Sequence, residues 1–335
     1  MLISRPPPAR GAPAATAVTP STAPFLEHST YAESAQNAST PAERRPSSDT
    51  GNMALSFDVF VSPIVPTALT DIPPGETERT WSPISSTLIY GETDAVLVDP
   101  PMTTSMAEDV ASWVGASGKN LTTIYATHGH GDHWFGASVL LKQFPYARFV
   151  ATPPVVEVMS RSTPEAVAAR WEVMFPNQIP PRVVAEPLEN QAIDLEGDDL
   201  VVVNLGHTDT DSTTCLHAPS IGLVVAGDAV YNDVHMYLAE SGPEGRRAWM
   251  SALDQIEGMD PATVVAGHKR PDRADSAETI VETRRYISDF DAVLETTSTA
   301  RELYDEMKGL HPTRLNPGML WASATALRPE ATANS

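Results

Sequence analysis

The chain alternates short apolar runs of strand length with longer stretches in which apolar side chains recur at helical spacing. Leu55–Val61 is a strand-like run, and Ser86–Tyr90 and Ala95–Val98 flank the polar break Gly91-Glu92-Thr93-Asp94 of a hairpin. Ser105 and Glu108 have capping-box spacing, and Met106, Val110, Trp113 and Val114 form one helical face that Gly118 ends. Leu121–Ala126 reads as the next strand, Phe135 to Gln143 as a helix and Arg148–Ala151 as an extended segment. Thr163-Pro164-Glu165 starts a helix through Val167, Trp171 and Met174, which Pro176, Pro180 and Pro181 end. The stretch Val155–Phe175 is therefore a helical segment that could serve as a lid. Further apolar runs are Leu200–Val203, Gly222–Ala226 and Thr263–Ala266, with a strand at Thr213–His217. Trp249, Ala252, Leu253 and Ile256 share one helix; Ile280, Ile287, Phe290 and Leu294 share another, and Leu303 and Met307 belong to a third. This alternation predicts an α/β fold of sheets covered by helices.

Composition sets the outer bounds. The 335 residues, 41% of them hydrophobic, suffice for one sizeable core. Residues 1–52 are rich in Pro, Ala, Ser and Thr and read as a disordered extension, 53–326 as a single domain with a helical C-terminal part, and 327–335 as a tail. The net charge of -21 opposes binding to phosphate backbones, so no nucleic-acid partner is expected. No run is long and apolar enough to span a bilayer, and no secretory h-region opens the chain. The expectation is a cytoplasmic protein with a small-molecule substrate and no membrane partner; its oligomeric state is open. The single cysteine, Cys215, allows no intrachain disulfide and reads as a buried small hydrophobe, with a metal ligand as the alternative.

The chemistry is concentrated in Thr127-His128-Gly129-His130-Gly131-Asp132-His133, four potential ligands within six residues directly after a strand. Neutral imidazoles and a carboxylate form a ligand set that zinc accepts. Three other apolar runs end in a glycine followed by a metal-competent side chain: Gly206-His207, Gly227-Asp228 and Gly267-His268. Glycine permits a sharp exit from a strand, and strand ends can converge on one edge of a sheet structure. Five histidines and two aspartates then suit two metal ions sharing a water.

These motifs, H-x-H-x-D-H followed by G-H, G-D and G-H, resemble the metallo-β-lactamase-fold hydrolases over about residues 55–270. The resemblance implies an αββα sandwich of two mixed β-sheets flanked by helices, with the site along one edge. It implies that His128, His130 and His207 hold one metal, that Asp132, His133 and His268 hold the second, and that Asp228 bridges them. Asp99 then orients a ligand imidazole. Type B1 β-lactamases carry a cysteine ligand where Asp228 stands, and the flavodiiron pattern has an acid where His130 stands. The combination here favours glyoxalase-II-like and lactonase-like branches. The segment after His207 lacks the Pro-Gly that often follows the family's G-H-T, and the segment after Asp228 lacks the glyoxalase II continuation. Hydroxyacylglutathione is therefore not assigned as substrate.

The expected reaction is hydrolysis of an ester, lactone or thioester by a hydroxide shared between two Zn2+ ions, with Fe or Mn as alternative metals. Asp132 is a candidate for handling the proton. Tyr231 is a candidate oxyanion donor or leaving-group acid, with a packed aromatic as the alternative. Trp134 is expected either to wall the pocket or to pack a helix. His235 and Tyr237 are expected in a loop near the site, with surface roles favoured for both. Lys269, Arg270, Arg246 and Arg247 are solvated side chains unless they bind an anionic substrate group. A mononuclear iron sulfur dioxygenase of the same fold, leaving Asp132 and His133 unmetallated, and a phosphodiesterase are the competing readings.

Overall fold

A computed structural model describes residues 54–329; the expected extension 1–52 and the tail from 330 onward lie outside the described residues. The chain runs β1 (Ser56–Val61), β2 (Val65–Pro66), β3 (Thr80–Trp81), β4 (Ser85–Tyr90), β5 (Asp94–Val98), α1 (Thr104–Ala116) and β6 (Asn120–Tyr125). After the histidine loop come α2 (Ala137–Gln143), β7 (Arg148–Ala151), α3 (Pro153–Arg161), α4 (Pro164–Met174) and β8 (Glu186–Pro187). The second half is β9 (Ala192–Leu195), β10 (Asp198–Gly206), β11 (Thr213–Ala218), β12 (Leu223–Asn232), α5 (Pro243–Glu257) and β13 (Thr263–Lys269). It closes with α6 (Glu278–Thr296), α7 (Ala300–Leu310) and α8 (Pro317–Leu327).

Two mixed sheets result, one ordered β1-β4-β5-β6-β7-β8 and the other β13-β12-β11-β10-β9. The first is antiparallel from β1 to β5 and parallel from β5 to β8. Its parallel centre explains why Ala95–Val98 reads as an unbroken apolar run, since both faces of such a strand are covered. Ile89, Val96, Val98, Tyr125 and Val150 of the first sheet pack against Ile193, Leu200, Val202, Leu216 and Val225 of the second. On the outer face of the first sheet, Leu88 and Leu97 meet Val110 and Val114 of α1 and Leu140 of α2. On the outer face of the second, Val224 and Val264 meet Trp249 and Leu253 of α5 and Ile287 and Phe290 of α6. The architecture is an αββα sandwich. Among the described residues no helix is long and apolar enough to cross a membrane.

Several local expectations are corrected. The first helix is capped by Thr103, whose hydroxyl accepts from Met106 N, so Ser105 and Glu108 lie inside it. The helix start expected at Thr163-Pro164-Glu165 is found, with Thr163 accepting from Ala166 N, but the segment Val155–Phe175 also holds a separate preceding helix, α3. The glycine before Asp228 is no strand exit: β12 continues to Asn232 and absorbs Gly227 as an irregularity in its pairing with β13. Gly227 has φ +53°, and a Cβ there would lie 2.3 Å from Thr127 Oγ1. Only glycine lets β12 bend this closely under the histidine loop. Gly267 is set by the same crowding, since its Cβ would meet Asp228 Oδ1 at 2.1 Å.

Candidate metal centre

The histidine loop leaves β6 and is pinned from both sides. Asp99, at φ +56° beyond the end of β5, accepts from Thr127 N and Thr127 Oγ1, both at 2.8 Å. Its Oδ2 also lies 3.2 Å from His133 Nδ1. Trp134 does not wall the cavity; it is fully buried and donates through Nε1 to Gly129 O at 3.0 Å, closing the loop on itself.

His128, His133 and His268 each spend one ring nitrogen on the protein and turn the other inward. His128 Nδ1 meets Thr127 Oγ1 at 3.0 Å, and His268 Nδ1 donates to Pro83 O at 2.9 Å. The inward Nε2 of His268 lies 3.4 Å from Asp132 Oδ2 and 3.3 Å from Asp228 Oδ2, and His133 Nε2 lies 3.1 Å from Asp228 Oδ1. The buried atoms His128 Nε2, His133 Nε2, Asp209 Oδ2 and Asp228 Oδ1 have no hydrogen-bond partner. Inward atoms left unsatisfied in this way cost free energy unless a cation takes them, and their fixed outer partners are the support that metal-binding imidazoles receive. The donors fall into groups whose ligand atoms lie within 4.8 Å of one another: His128, His130, Asp209 and Asp228 in one, Asp132, His133 and His268 in another. The residues present thus fit a divalent metal centre.

The electrostatics describe the same demand for positive charge. Burial works against the charged form of His130, but the Asp209 carboxylate outweighs it and the group is pushed up to about 10. His268 is likewise raised to about 10, against burial, by Asp228 and Asp132. His133 is raised well above the usual range, burial being overcome by Asp228 and Asp132. Burial would raise Asp132 and Asp228, yet the imidazoles of His133 and His268 hold both below the ordinary carboxylate range. Without a metal, protons on imidazoles stand in for the missing cations.

Of the seven expected ligands, the structure brings together six: His128, His130, Asp132, His133, Asp228 and His268. The seventh, His207, is not among them. Its Nδ1 faces Asp211 Oδ1 at 2.6 Å, its Nε2 lies 3.0 Å from Ser241 Oγ, and its ring packs against Gly245. The loop after β10 folds back with Thr208 N donating to Thr210 O, which sets His207 and Asp211 on the outside. Asp209, between them, is fully buried with Oδ2 at 2.8 Å from His130 Nδ1. Sequence reasoning missed Asp209, although its alternation with His207 and Asp211 offered three candidates rather than one.

Tyr231 is buried, and its hydroxyl donates to Asp228 Oδ2 at 2.7 Å. Trp81 Nε1 donates to Asp132 Oδ2 at 3.1 Å. A cavity of about 180 Å³ opens onto His130, Asp132, Asp228, Tyr231 and His268, walled by Trp81, Trp171, Met174, Tyr237, Met319 and Ala322. Tyr237, half-buried, lines the cavity wall, in keeping with its expected place near the site; His235 is buried with Nδ1 2.9 Å from Tyr286 Oη rather than at the surface. The basic side chains singled out from sequence do not line this cavity: Arg246 is buried beside Asp291, Lys269 beside Asp275, and Arg270 pairs with Asp233. The cations that do line it are Arg79 and Arg170. Arg79 is bound to Asp71, and Arg170 lies over the Trp171 ring.

Comparison with known proteins agrees with this architecture. The family model for the Metallo-beta-lactamase superfamily matches residues 79–268. A hydroxyacylglutathione hydrolase from Synechococcus sp. (strain CC9902) is 43% identical over 58 residues, 17% of this chain and 22% of that protein. The match therefore spans about a fifth of that relative's length. Among solved structures, a metallo-beta-lactamase family protein from Thermus thermophilus is 21% identical with a TM-score of 0.54, covering 80% of this chain and 91% of that one. The DIM-1 metallo-beta-lactamase is 15% identical with a TM-score of 0.51, covering 71% of this chain and 98% of that one. At these identities the two structures speak to the fold.

Proposed function

The chain belongs to the metallo-beta-lactamase superfamily, and from that premise we propose that it is a two-metal hydrolase of a small ester, lactone or thioester. The observation that carries this reading is the cavity: the ligand groups form its floor, and aromatic and thioether side chains form its walls. Divalent ions held there supply Lewis acidity and bring the pKa of water toward neutrality. The short stretch shared with a hydroxyacylglutathione hydrolase supports a thioester within the substrate class.

The chain's own residues do the rest. His128, His133 and His268 present ring nitrogens whose orientation is fixed from behind by Thr127, Asp99 and Pro83 O. The Trp81 N–H holds Asp132 at the cavity floor. There the Asp132 carboxylate takes the proton of the attacking water and returns it to the leaving oxygen or sulfur as the carbonyl carbon changes partners. Tyr231 donates to Asp228 and so positions that carboxylate rather than the substrate. Trp81, Trp171 and Met174 exclude bulk water, which strengthens every charge interaction inside. The same cavity favours a compact, largely apolar small molecule over a nucleic acid, consistent with the net charge of -21. Paired inward donors at Asp132, His133 and His268 favour two metals over the mononuclear iron reading.

The test is a turnover screen of zinc-loaded protein on lactones, thioesters, aryl esters, β-lactams and bis-phosphodiesters. Carbonyl substrates should be cleaved, and Asp132→Ala and His130→Ala should abolish turnover while the circular dichroism stays native. Near-normal turnover in either folded variant refutes this mechanism.

A further inference from the structure

We infer that the carboxylate of Asp209, and not the imidazole of His207, completes the donor set around His128 and His130. The inference rests on the metallohydrolase reading and sharpens it. Both halves of the centre then have the same composition: two imidazoles with one carboxylate of their own, and Asp228 shared between them.

Four observations on separate atoms converge on Asp209. It is fully buried, which an isolated carboxylate does not tolerate. Its Oδ1 is fixed by the Thr208 hydroxyl at 2.9 Å, so the group is held in one orientation. Its Oδ2 has no hydrogen-bond partner and faces His130 Nδ1 at 2.8 Å and His128 Nε2 at 3.8 Å. The other nitrogen of His130, Nε2, lies on the far side of the ring, 3.4 Å from Glu240 Oε1 and without a hydrogen bond to it. This leaves Nδ1 as the nitrogen that shares a cation with Asp209 Oδ2.

His207 shows the opposite pattern. Both of its ring nitrogens are occupied, by Asp211 and Ser241. The Ser241 hydroxyl donates to Thr208 O at 2.5 Å, so the contact ties the loop after β10 to the segment that enters α5. His207 thus acts as a clamp that presents Asp209. Three carboxylates facing two divalent cations leave a centre of net charge +1, one unit lower than a set with His207 in place of Asp209. Such an oxygen-richer set is harder than three imidazoles and one shared carboxylate.

The experiment is metal stoichiometry on the full chain, stripped with chelator and reloaded with Zn2+ or Co2+, read by mass spectrometry and by the Co2+ absorption spectrum. Wild type should hold about two ions per chain. Asp209→Asn and Asp209→Ala should hold about one, or bind the second at least a hundredfold more weakly, with an altered Co2+ spectrum. His207→Gln, which keeps a side chain able to hydrogen-bond Asp211 and Ser241, should hold two with the wild-type spectrum. Far-UV circular dichroism and melting of each stripped variant identify any that has failed to fold; the His207→Gln result decides even if both Asp209 variants unfold. Two ions in wild type but one in folded His207→Gln overturns this inference and leaves the metallohydrolase reading standing. Two ions retained in a folded Asp209 variant, with an unchanged Co2+ spectrum, also overturns it. A wild-type chain that takes up no metal overturns the metallohydrolase reading itself.

Discussion

At the level of single residues, the centre is decided by the atoms behind the ligands as much as by the ligands. Asp99, Thr127, Pro83 O, Trp81 and Tyr231 each take one polar atom of a ligand side chain and thereby aim the other. Tyr231→Phe removes the hydroxyl that fixes Asp228 Oδ2 while keeping the ring packed near His268. Loss of such a partner costs about 10–100-fold in metal affinity, so the variant should fold, load two ions at saturating metal, and release them more readily in a chelator titration. Unchanged affinity would mean that the Asp228 carboxylate is held by the fold alone. The H-x-H-x-D-H run made four of the candidate ligand residues legible in sequence because no packing role asks for so many polar groups in one loop. Asp228 and His268 were legible as partners of that run. Asp209 was not, because its place depends on the loop after β10 folding back on itself, a tertiary outcome that spacing does not encode. Tyr231 was singled out correctly as a residue at the site, but its hydroxyl is committed to Asp228.

At the level of elements, α4 connects the fold to the chemistry. Trp171 of α4 meets Trp81 edge-on at 5.4 Å and Phe135 at 5.3 Å, and Trp81 in turn donates to Asp132. The helix therefore supplies a wall and steadies a site carboxylate through one intermediate ring. Trp171→Ala should destabilise the protein by about 3–5 kcal/mol, the usual cost of emptying a large aromatic site, and should raise KM by opening the cavity. Denaturant unfolding and steady-state kinetics check the two effects separately; a cost below about 1 kcal/mol would mean that α4 is not packed on the site. Periodicity exposed most strands and long helices, because their apolar faces are regular. It did not expose the two-residue strands β2, β3 and β8, nor β9, where Asp194 interrupts the apolar residues, and it read the start of α4 without separating α3 from it. It also missed α8, whose Met319, Leu320, Trp321 and Ala324 give no clear apolar stripe against a polar face.

At the level of the whole molecule, the sandwich brings the loops after β6 and β10 together with bent positions inside β12 and β13, and so concentrates buried charge that folding must balance. In metal-free protein the balance is made by protons. His130 and His268 are raised to about 10, against about 6.5 in an unfolded chain. Their contribution to stability is fully present below about pH 6.5 and is lost progressively as pH rises through about 10. Asp132 and Asp228 are depressed, so their contribution is present above about pH 4 and is lost as pH falls below it. Chelated protein should therefore melt at steadily lower temperature from about pH 6.5 to about pH 10. Metal replaces those protons, so loaded protein should show little of this alkaline loss. Loading near neutral pH should release protons, and affinity should rise with pH. Differential scanning fluorimetry of chelated and loaded protein across pH measures the first effect, and calorimetry in buffers of different ionisation enthalpy measures the second. A melting temperature that stays level with pH in chelated protein, or metal binding without proton release, would show that the imidazoles are neutral before the metal arrives. The buried carboxylates would then lack the compensation that their burial requires.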